Sequence, residues 1–281
     1  MKRYSLILML SVTALLAGCG GGGSSTSPST VPSVNPPPPV VNQSPGGIWE
    51  GSLAVSYNGN VESTNQQAEV LVTEDGQFMG IVTDPTSGCE VLISGNLTVS
   101  GSNINGSATI GVADIGDVVQ GCVLANGTTS GTASVTGTVS QRSSVSISVS
   151  DSDGGGTEIV KGTLTYNSLY SSGSSLASVN GNWLDPVGDI LSINNGTLFE
   201  QDPETGCVIN GTIGIINASY DAYSASFTYA NCGGAASMLN GVTANGLALL
   251  DTTTSPAEIL IGYTVAMNGG QVLVIDTLTQ D

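Results

Sequence analysis

Two nearly identical hexapeptides, DPTSGC (Asp84–Cys89) and DPETGC (Asp202–Cys207), mark the chain as two copies of one plan. Each is preceded by Gly-x-Trp, in GIWEGSL from Gly47 and GNWLDP from Gly181, and then by a glycine-led run with a phenylalanine, GQFMGIVT from Gly76 and GTLFEQ from Gly196. Each is followed by an apolar run and a second cysteine, Cys122 or Cys232. A shared order of this kind is an internal repeat of one supersecondary unit. The spacings sharpen it. Gly76 to Asp84 is eight residues against six from Gly196 to Asp202, and Cys89 to Gly95 is six against four from Cys207 to Gly211. Both differences are two, the one change that leaves every side chain of a strand on its original face.

Short Val, Ile, Thr and Leu runs alternate with Gly, Asn, Asp and Ser, as strands alternate with turns. The pattern predicts strands near 48–56, 68–73, 77–83, 90–100, 104–112, 132–141, 144–150 and 158–167 in the first copy. In the second it predicts them near 181–185, 189–193, 197–201, 207–216, 223–230, 241–250, 258–267 and 271–279. The turns EDG, DPTSG, NNG, DPETG and NGG suit hairpins, because Gly and Asn accept positive φ cheaply. No stretch keeps helical periodicity for three turns; SSLAS (Ser174–Ser178) predicts one helical turn between the copies. The expected fold is all-β. Eight sequential antiparallel strands would leave two bare edges, and closure into a meander β-barrel removes them. Two-sheet β-sandwiches are the competing architecture. Within either, the hexapeptide is a hairpin corner: Pro fixes the turn, Asp caps it, Gly takes the strained φ and Cys opens the next strand.

The chain begins MKRYSLILMLSVTALLAGCGGGG. Lys2 and Arg3 precede an apolar run too short to span a bilayer, which reads as a secretory signal. The signal ends in LAGC, which resembles the lipobox of bacterial lipoproteins. That resemblance implies cleavage before Cys19, lipidation of its sulfur and acylation of its new amine, enough acyl chain for lasting membrane attachment. Gly20 stands where an Asp would resemble an inner-membrane retention signal, so delivery to the outer membrane is expected. The Gly, Ser, Thr and Pro stretch that follows, with Pro36–Pro39, is a partly stiff tether. The expected layout is a signal over 1–18, a lipidated tether over 19–46, and repeats over 47–170 and 171–281.

After signal removal, 22 acids face two bases, Arg142 and Lys161. Such a surface repels nucleic acid and anionic headgroups. Four cysteines remain beyond Cys19, an even number that in an exported chain reads as disulfides. Three pairings are open in principle; repeat symmetry favours Cys89–Cys122 and Cys207–Cys232, each closing a loop worth about 3–4 kcal/mol in the chain-entropy model. No CxxC spacing and no histidine support a metal site.

The absence of histidine excludes Ser-His-Asp and Cys-His catalysis. Lys161 lies on a predicted strand without SxxK. Carboxylate pairs cleave glycosides, but Glu50, Asp75, Asp84, Glu90, Asp185 and Asp202 fall mostly at turns and read as capping or solvated acids. DSDGGG (Asp151–Gly156) lacks the remainder of a calcium loop, and no glycine run has P-loop or Rossmann context. No cofactor and no catalytic residue are expected.

The chain's two tryptophans, Trp49 and Trp183, both sit in Gly-x-Trp at the start of a repeat, where an indole can plug one end of a small barrel. This resembles the Gly-x-Trp signature on the first strand of lipocalin-like (calycin) β-barrels. The stretch YNSLYSSGSSLASVNGNW resembles the linker of bacterial lipoproteins built from two such units. The resemblance implies a cavity for apolar small molecules. With hydrophobic residues at 40% and aromatics at 5%, that interior should be aliphatic and suit acyl chains or hydrocarbons. The expectation is a non-enzymatic, lipid-anchored envelope protein that binds or transfers a hydrophobic small molecule or lipid, working with a membrane transporter or other envelope protein. The alternative is a structural or adhesive surface lipoprotein whose barrels are filled by their own side chains.

Overall fold

A computed structural model describes residues 41–113, 122–124, 127–152, 156–185, 187–267 and 270–281. Sixteen strands form two closed antiparallel barrels, each a simple meander of eight. The first contains β1 (Gly47–Tyr57), β2 (Asn60–Val72), β3 (Gln77–Thr83), β4 (Glu90–Ser100), β5 (Asn103–Val112), β6 (Ser130–Ser140), β7 (Ser144–Asp151) and β8 (Glu158–Asn167). The second contains β9 (Gly181–Leu184), β10 (Ile190–Asn194), β11 (Thr197–Gln201), β12 (Val208–Ile215), β13 (Tyr223–Ala230), β14 (Thr243–Asp251), β15 (Glu258–Met267) and β16 (Gly270–Gln280). β1 closes on β8 with Trp49 opposite Tyr166, and β9 closes on β16 with Trp183 opposite Gln280. No bare edge remains among these strands, so closure, and not a sandwich, resolves the edge problem. Two eight-stranded antiparallel barrels are consistent with the calycin or lipocalin-like fold class.

The repeated hexapeptides fold alike. Asp84 and Asp202 each donate the backbone N–H to the carbonyl of the cysteine five residues on and accept the N–H of the glycine four residues on. The Asp84 carboxylate accepts from Thr86 N–H and Ser87 Oγ, and the Asp202 carboxylate accepts from Glu204 N–H and the Thr205 hydroxyl. Gly88 and Gly206 sit at φ 74° and 73°, where a β-carbon is strained. The cysteines pair as Cys89–Cys122 and Cys207–Cys232. Each bond ties the hexapeptide turn to the next connection at the same end of its barrel.

The opposite ends are closed. Residues 42–45, at the end of the expected tether, lie across the first barrel: Gln43 N–H donates to Gly101 O, Gly101 N–H to Asn42 Oδ1, and Gln141 N–H to Gln43 Oε1. Between the barrels run a 3-10 turn (Ser168–Ser172) and a one-turn helix, α1 (Leu176–Val179), capped by the Ser175 hydroxyl on Ser178 N–H. The barrels share an apolar layer in which Leu71 and Met79 meet Leu247 and Leu249 around Tyr170. At its edge Arg142, on the β6–β7 turn, stands 4.4 Å over the Tyr220 ring and 3.0 Å from Glu74. Tyr170 stacks on Tyr220 at 5.0 Å.

The first half of β2 (NVESTNQQ) carries no apolar alternation, and the sequence pattern missed it. That half is largely exposed and pairs with the end of β1 in a hairpin turned at Asn58-Gly59, both at positive φ.

Candidate ligand cup of the second barrel

The two tryptophans close their barrels in the same way. Trp49 is 1% exposed and Trp183 fully buried. Each indole N–H donates at 2.9 Å to the carbonyl four residues earlier, Pro45 O or Val179 O. That short loop keeps the only polar atom of the ring satisfied inside the core. In the first barrel the Tyr166 ring lies edge-on to Trp49 at 5.5 Å, and Arg142 reaches the Tyr166 hydroxyl at 3.1 Å. Gln280 replaces Tyr166 in the second barrel, and residues 171–281 contain no Lys or Arg. Cys19 lies outside the described residues.

Beyond the tryptophans the interiors diverge. The first barrel encloses about 50 Å³, entirely apolar, among residues such as Val70, Phe78, Leu97, Ile104 and Val135. The second holds a cup of about 330 Å³. Its floor is Leu191, Leu198, Phe227, Ile261 and Leu278, its wall includes Tyr229 and Tyr263, and its rim carries Asp185, Asp189, Glu200, Asp202 and Asp276. Small-molecule sites start at roughly 300 Å³; among the described residues the cup of the second barrel reaches that size and the apolar cavity of the first does not.

Strand register shows how the difference is written. Phe78 and Leu198 occupy the same place, each facing a glycine on the next strand, Gly95 or Gly211. Two residues on, the first barrel has Gly80 and the second Glu200. Four residues before the strand partner of each tryptophan, the first has Gly162 and the second Asp276. A β-carbon on Gly80 would lie 2.8 Å from Val70 Cγ2, and one on Gly162 2.5 Å from Leu53 Cδ2. In the first barrel, therefore, neighbouring side chains fold inward over the glycines. In the second, carboxylates occupy those places and cannot be packed dry without losing hydration. Aromatics replace small or aliphatic groups beside them: Phe227 stands where the first barrel has Ala108, Tyr229 where it has Ile110, and Tyr263 where it has Val149. The cup wall is thus partly aromatic, a departure from the aliphatic interior expected from composition. Phe227 packs edge-to-face with Tyr263 at 4.8 Å and with Tyr229 at 5.7 Å.

Two further differences open the mouth. Leu53, four residues after Trp49, is buried on the continuing β1; Val187, four after Trp183, is 83% exposed. β9 stops at Leu184 because the Asp185 carboxylate gathers the N–H groups of Val187, Gly188 and Asp189 into a turn. Two residues after the second cysteine of each repeat stand Leu124 and Gly234. Leu124 is buried in the first core, while Gly234 brings no side chain and opens the 3-10 segment Gly234–Leu239, from which Ala236 and Leu239 line the rim.

The electrostatics follow from crowding acids without a base. Glu200 is pushed up to about 7, first by burial and then by Asp185, Asp189, Asp276 and Asp202. Burial also raises Asp276, although Tyr263 donates to its Oδ2 at 3.0 Å and acts the other way. Asp202 is held low by its Thr205 and Glu204 hydrogen bonds. Asp185 and Asp202, read from sequence as turn caps, do cap turns and also edge the cup. Asp189, Glu200 and Asp276 were not singled out by sequence reasoning. Among the described residues no three carboxylates or thiols are placed to hold a metal ion, and no helix is long and apolar enough to cross a membrane.

No family model and no curated protein matches the chain. Among solved structures, a Bacteroides fragilis protein provisionally described as an outer membrane protein aligns over 84% of this chain and 97% of its own, at 13% identity and a TM-score of 0.27. That superposition is too loose to transfer anything from one protein to the other.

Proposed function

We propose that this is a non-enzymatic, lipid-anchored protein of the bacterial cell envelope, held at the outer membrane through Cys19, whose second barrel binds an apolar small molecule. The observation that carries the reading is the contrast in interior volume, about 330 Å³ in the second barrel against about 50 Å³ in the first. On this reading the first barrel is a solid support and the tether holds both above the lipid surface, within reach of an envelope partner that delivers or receives the ligand. The test uses the chain downstream of Cys19, exported behind an ordinary cleavable signal so that both disulfides form. Native mass spectrometry should show a co-purifying apolar species, lost in Ile209→Trp, which narrows the cup wall. A ligand-free protein that also ignores medium-chain alcohols and alkanes would overturn the reading.

The rim supports a second reading. A carboxyl that keeps part of its proton near neutral pH, with other carboxyls beside it, is what acid/base hydrolysis of a glycoside needs. The apolar and aromatic floor weighs against a sugar. Turnover of nitrophenyl glycosides, abolished in Glu200→Gln, would establish the enzyme and displace the carrier.

A further inference from the structure

We propose that the ligand of the second barrel is a hydrophobic organic cation, an apolar body carrying a protonated or quaternary amine. The inference rests on the cup being a binding site and names the chemistry it would select. Three features of the cup converge on it.

The first is the pairing of an apolar floor with an acidic rim in one cavity. The body of a ligand seated on Leu191, Leu198 and Leu278 would place its head among Glu200, Asp276 and Asp185. The second is the missing countercharge. Residues 171–281 contain no Lys, Arg or His, so no side chain of that barrel neutralises the rim. A ligand cation would supply the charge, in surroundings where the interaction is stronger than in water. The third is the aromatic substitution. Tyr229 and Tyr263 stand beside the carboxylates where the first barrel carries Ile110 and Val149, and ring faces attract ammonium groups at close range.

The same geometry disfavours the other heads. A fatty acid would bring a further carboxylate into a ring of carboxylates. A bare divalent ion would need three converging ligands, which the described residues do not provide. The internal repeat strengthens the case. Both copies keep the hexapeptide turn, the disulfide and the buried Trp, yet at two inward positions glycine in one copy is an acid in the other. An inward acid without a partner costs stability in a barrel that has nothing to bind.

Isothermal titration at pH 8 and low salt, on the chain downstream of Cys19, would compare probes sharing one eight-carbon body: octylammonium, octanol and octanoate. Ethylammonium carries the charge without the body, and calcium chloride probes for a metal. Octylammonium should bind about tenfold or more tighter than octanol, ethylammonium and octanoate, the difference one well-placed charge contact makes. Glu200→Gln with Asp276→Asn should reduce octylammonium to the affinity of octanol and leave octanol unchanged. Glu62→Gln, an exposed acid on β2 of the first barrel, should change neither. If octanol binds and octylammonium binds no better, or the double variant changes nothing, the cation inference falls while the apolar cup stands. Equal binding of ethylammonium and octylammonium would reduce the effect to surface charge and overturn the inference. Competition by calcium at matching affinity would make the rim a metal site and overturn it too. If none of the eight-carbon probes binds, the cup reading itself fails, and this inference with it.

Discussion

The two barrels share a turn, a disulfide, a buried indole and a strand order, but they put the same frame to opposite uses. In the first, glycines at Gly80 and Gly162 let Val70 and Leu53 fold over the axis, and Leu124 sits in the core beneath the stapled end. In the second, Glu200 and Asp276 hold those places, Val187 is turned out and Gly234 brings no side chain. The comparison teaches that the frame is set by positions facing other backbone: turn glycines, capping aspartates, cysteines. Whether the frame encloses a core or a cup is set by a few inward residues that the frame does not constrain.

Three measurements would break or sharpen that contrast. The largest effect belongs to what the barrels share. Trp49→Ala and Trp183→Ala should each cost about 3–5 kcal/mol in denaturant unfolding, the usual range for a large buried aromatic. Near-equal losses would confirm that the indole serves the frame. A Trp183 variant that keeps its stability would show that the second barrel does not depend on its closed end.

Next comes the step that turns a core into a cup. Leu124→Ala should cost about 2–4 kcal/mol and enlarge the dry interior of the first barrel, so that it gains affinity for benzene or xenon. The variant should remain indifferent to octylammonium, because no acid lines that space. A variant that collapses and binds neither gas nor benzene would mean that something other than Leu124 keeps the first barrel filled.

The smallest effect is in pH. Glu200 and Asp221, both in the second barrel, are raised to about 7, chiefly by burial. Asp221 is further raised by Asp251 and opposed by its bond from Leu250 N–H; Glu200 faces Asp185, Asp189, Asp276, Asp202 and Tyr229. A carboxyl whose folded value lies above its unfolded one binds its proton more tightly in the fold. Its contribution is therefore complete at acid pH and is lost as pH rises toward about 7. The melting temperature should fall by roughly 5 °C between pH 5 and pH 8, as a loss of about 1–2 kcal/mol gives in a domain of this size. Glu200→Gln should flatten part of that slope. A melting temperature that rises over the same interval would show that these carboxyls are ionised and well solvated in the fold.

Most of the frame was legible because it is written in local chemistry. A two-residue difference in hairpin length, a glycine at positive φ and a paired cysteine each leave a mark in a few consecutive letters, and the strand at Thr197–Gln201 could be placed from them. The cup was less legible because its residues come from strands far apart in sequence. Asp276 and Glu200 face one cavity only once β16 and β11 share a barrel. A signal was nonetheless present. Glu200 is two residues after Leu198, and Asp276 two before Leu278, so each acid shares a strand face with a buried leucine. Parity alone puts both inside. Reading the acids by their nearness to turns drew attention to Asp185 and Asp202 and away from the pair that lies deepest.

The bond between Cys207 and Cys232 also has a mechanical meaning. It joins two neighbouring turns of the mouth, and so acts as part of a hoop around the opening. A hooped rim cannot dilate on that side, so a guest would be selected there by girth. Molecules entering the cup would pass that unyielding edge and the exposed side chain of Val187.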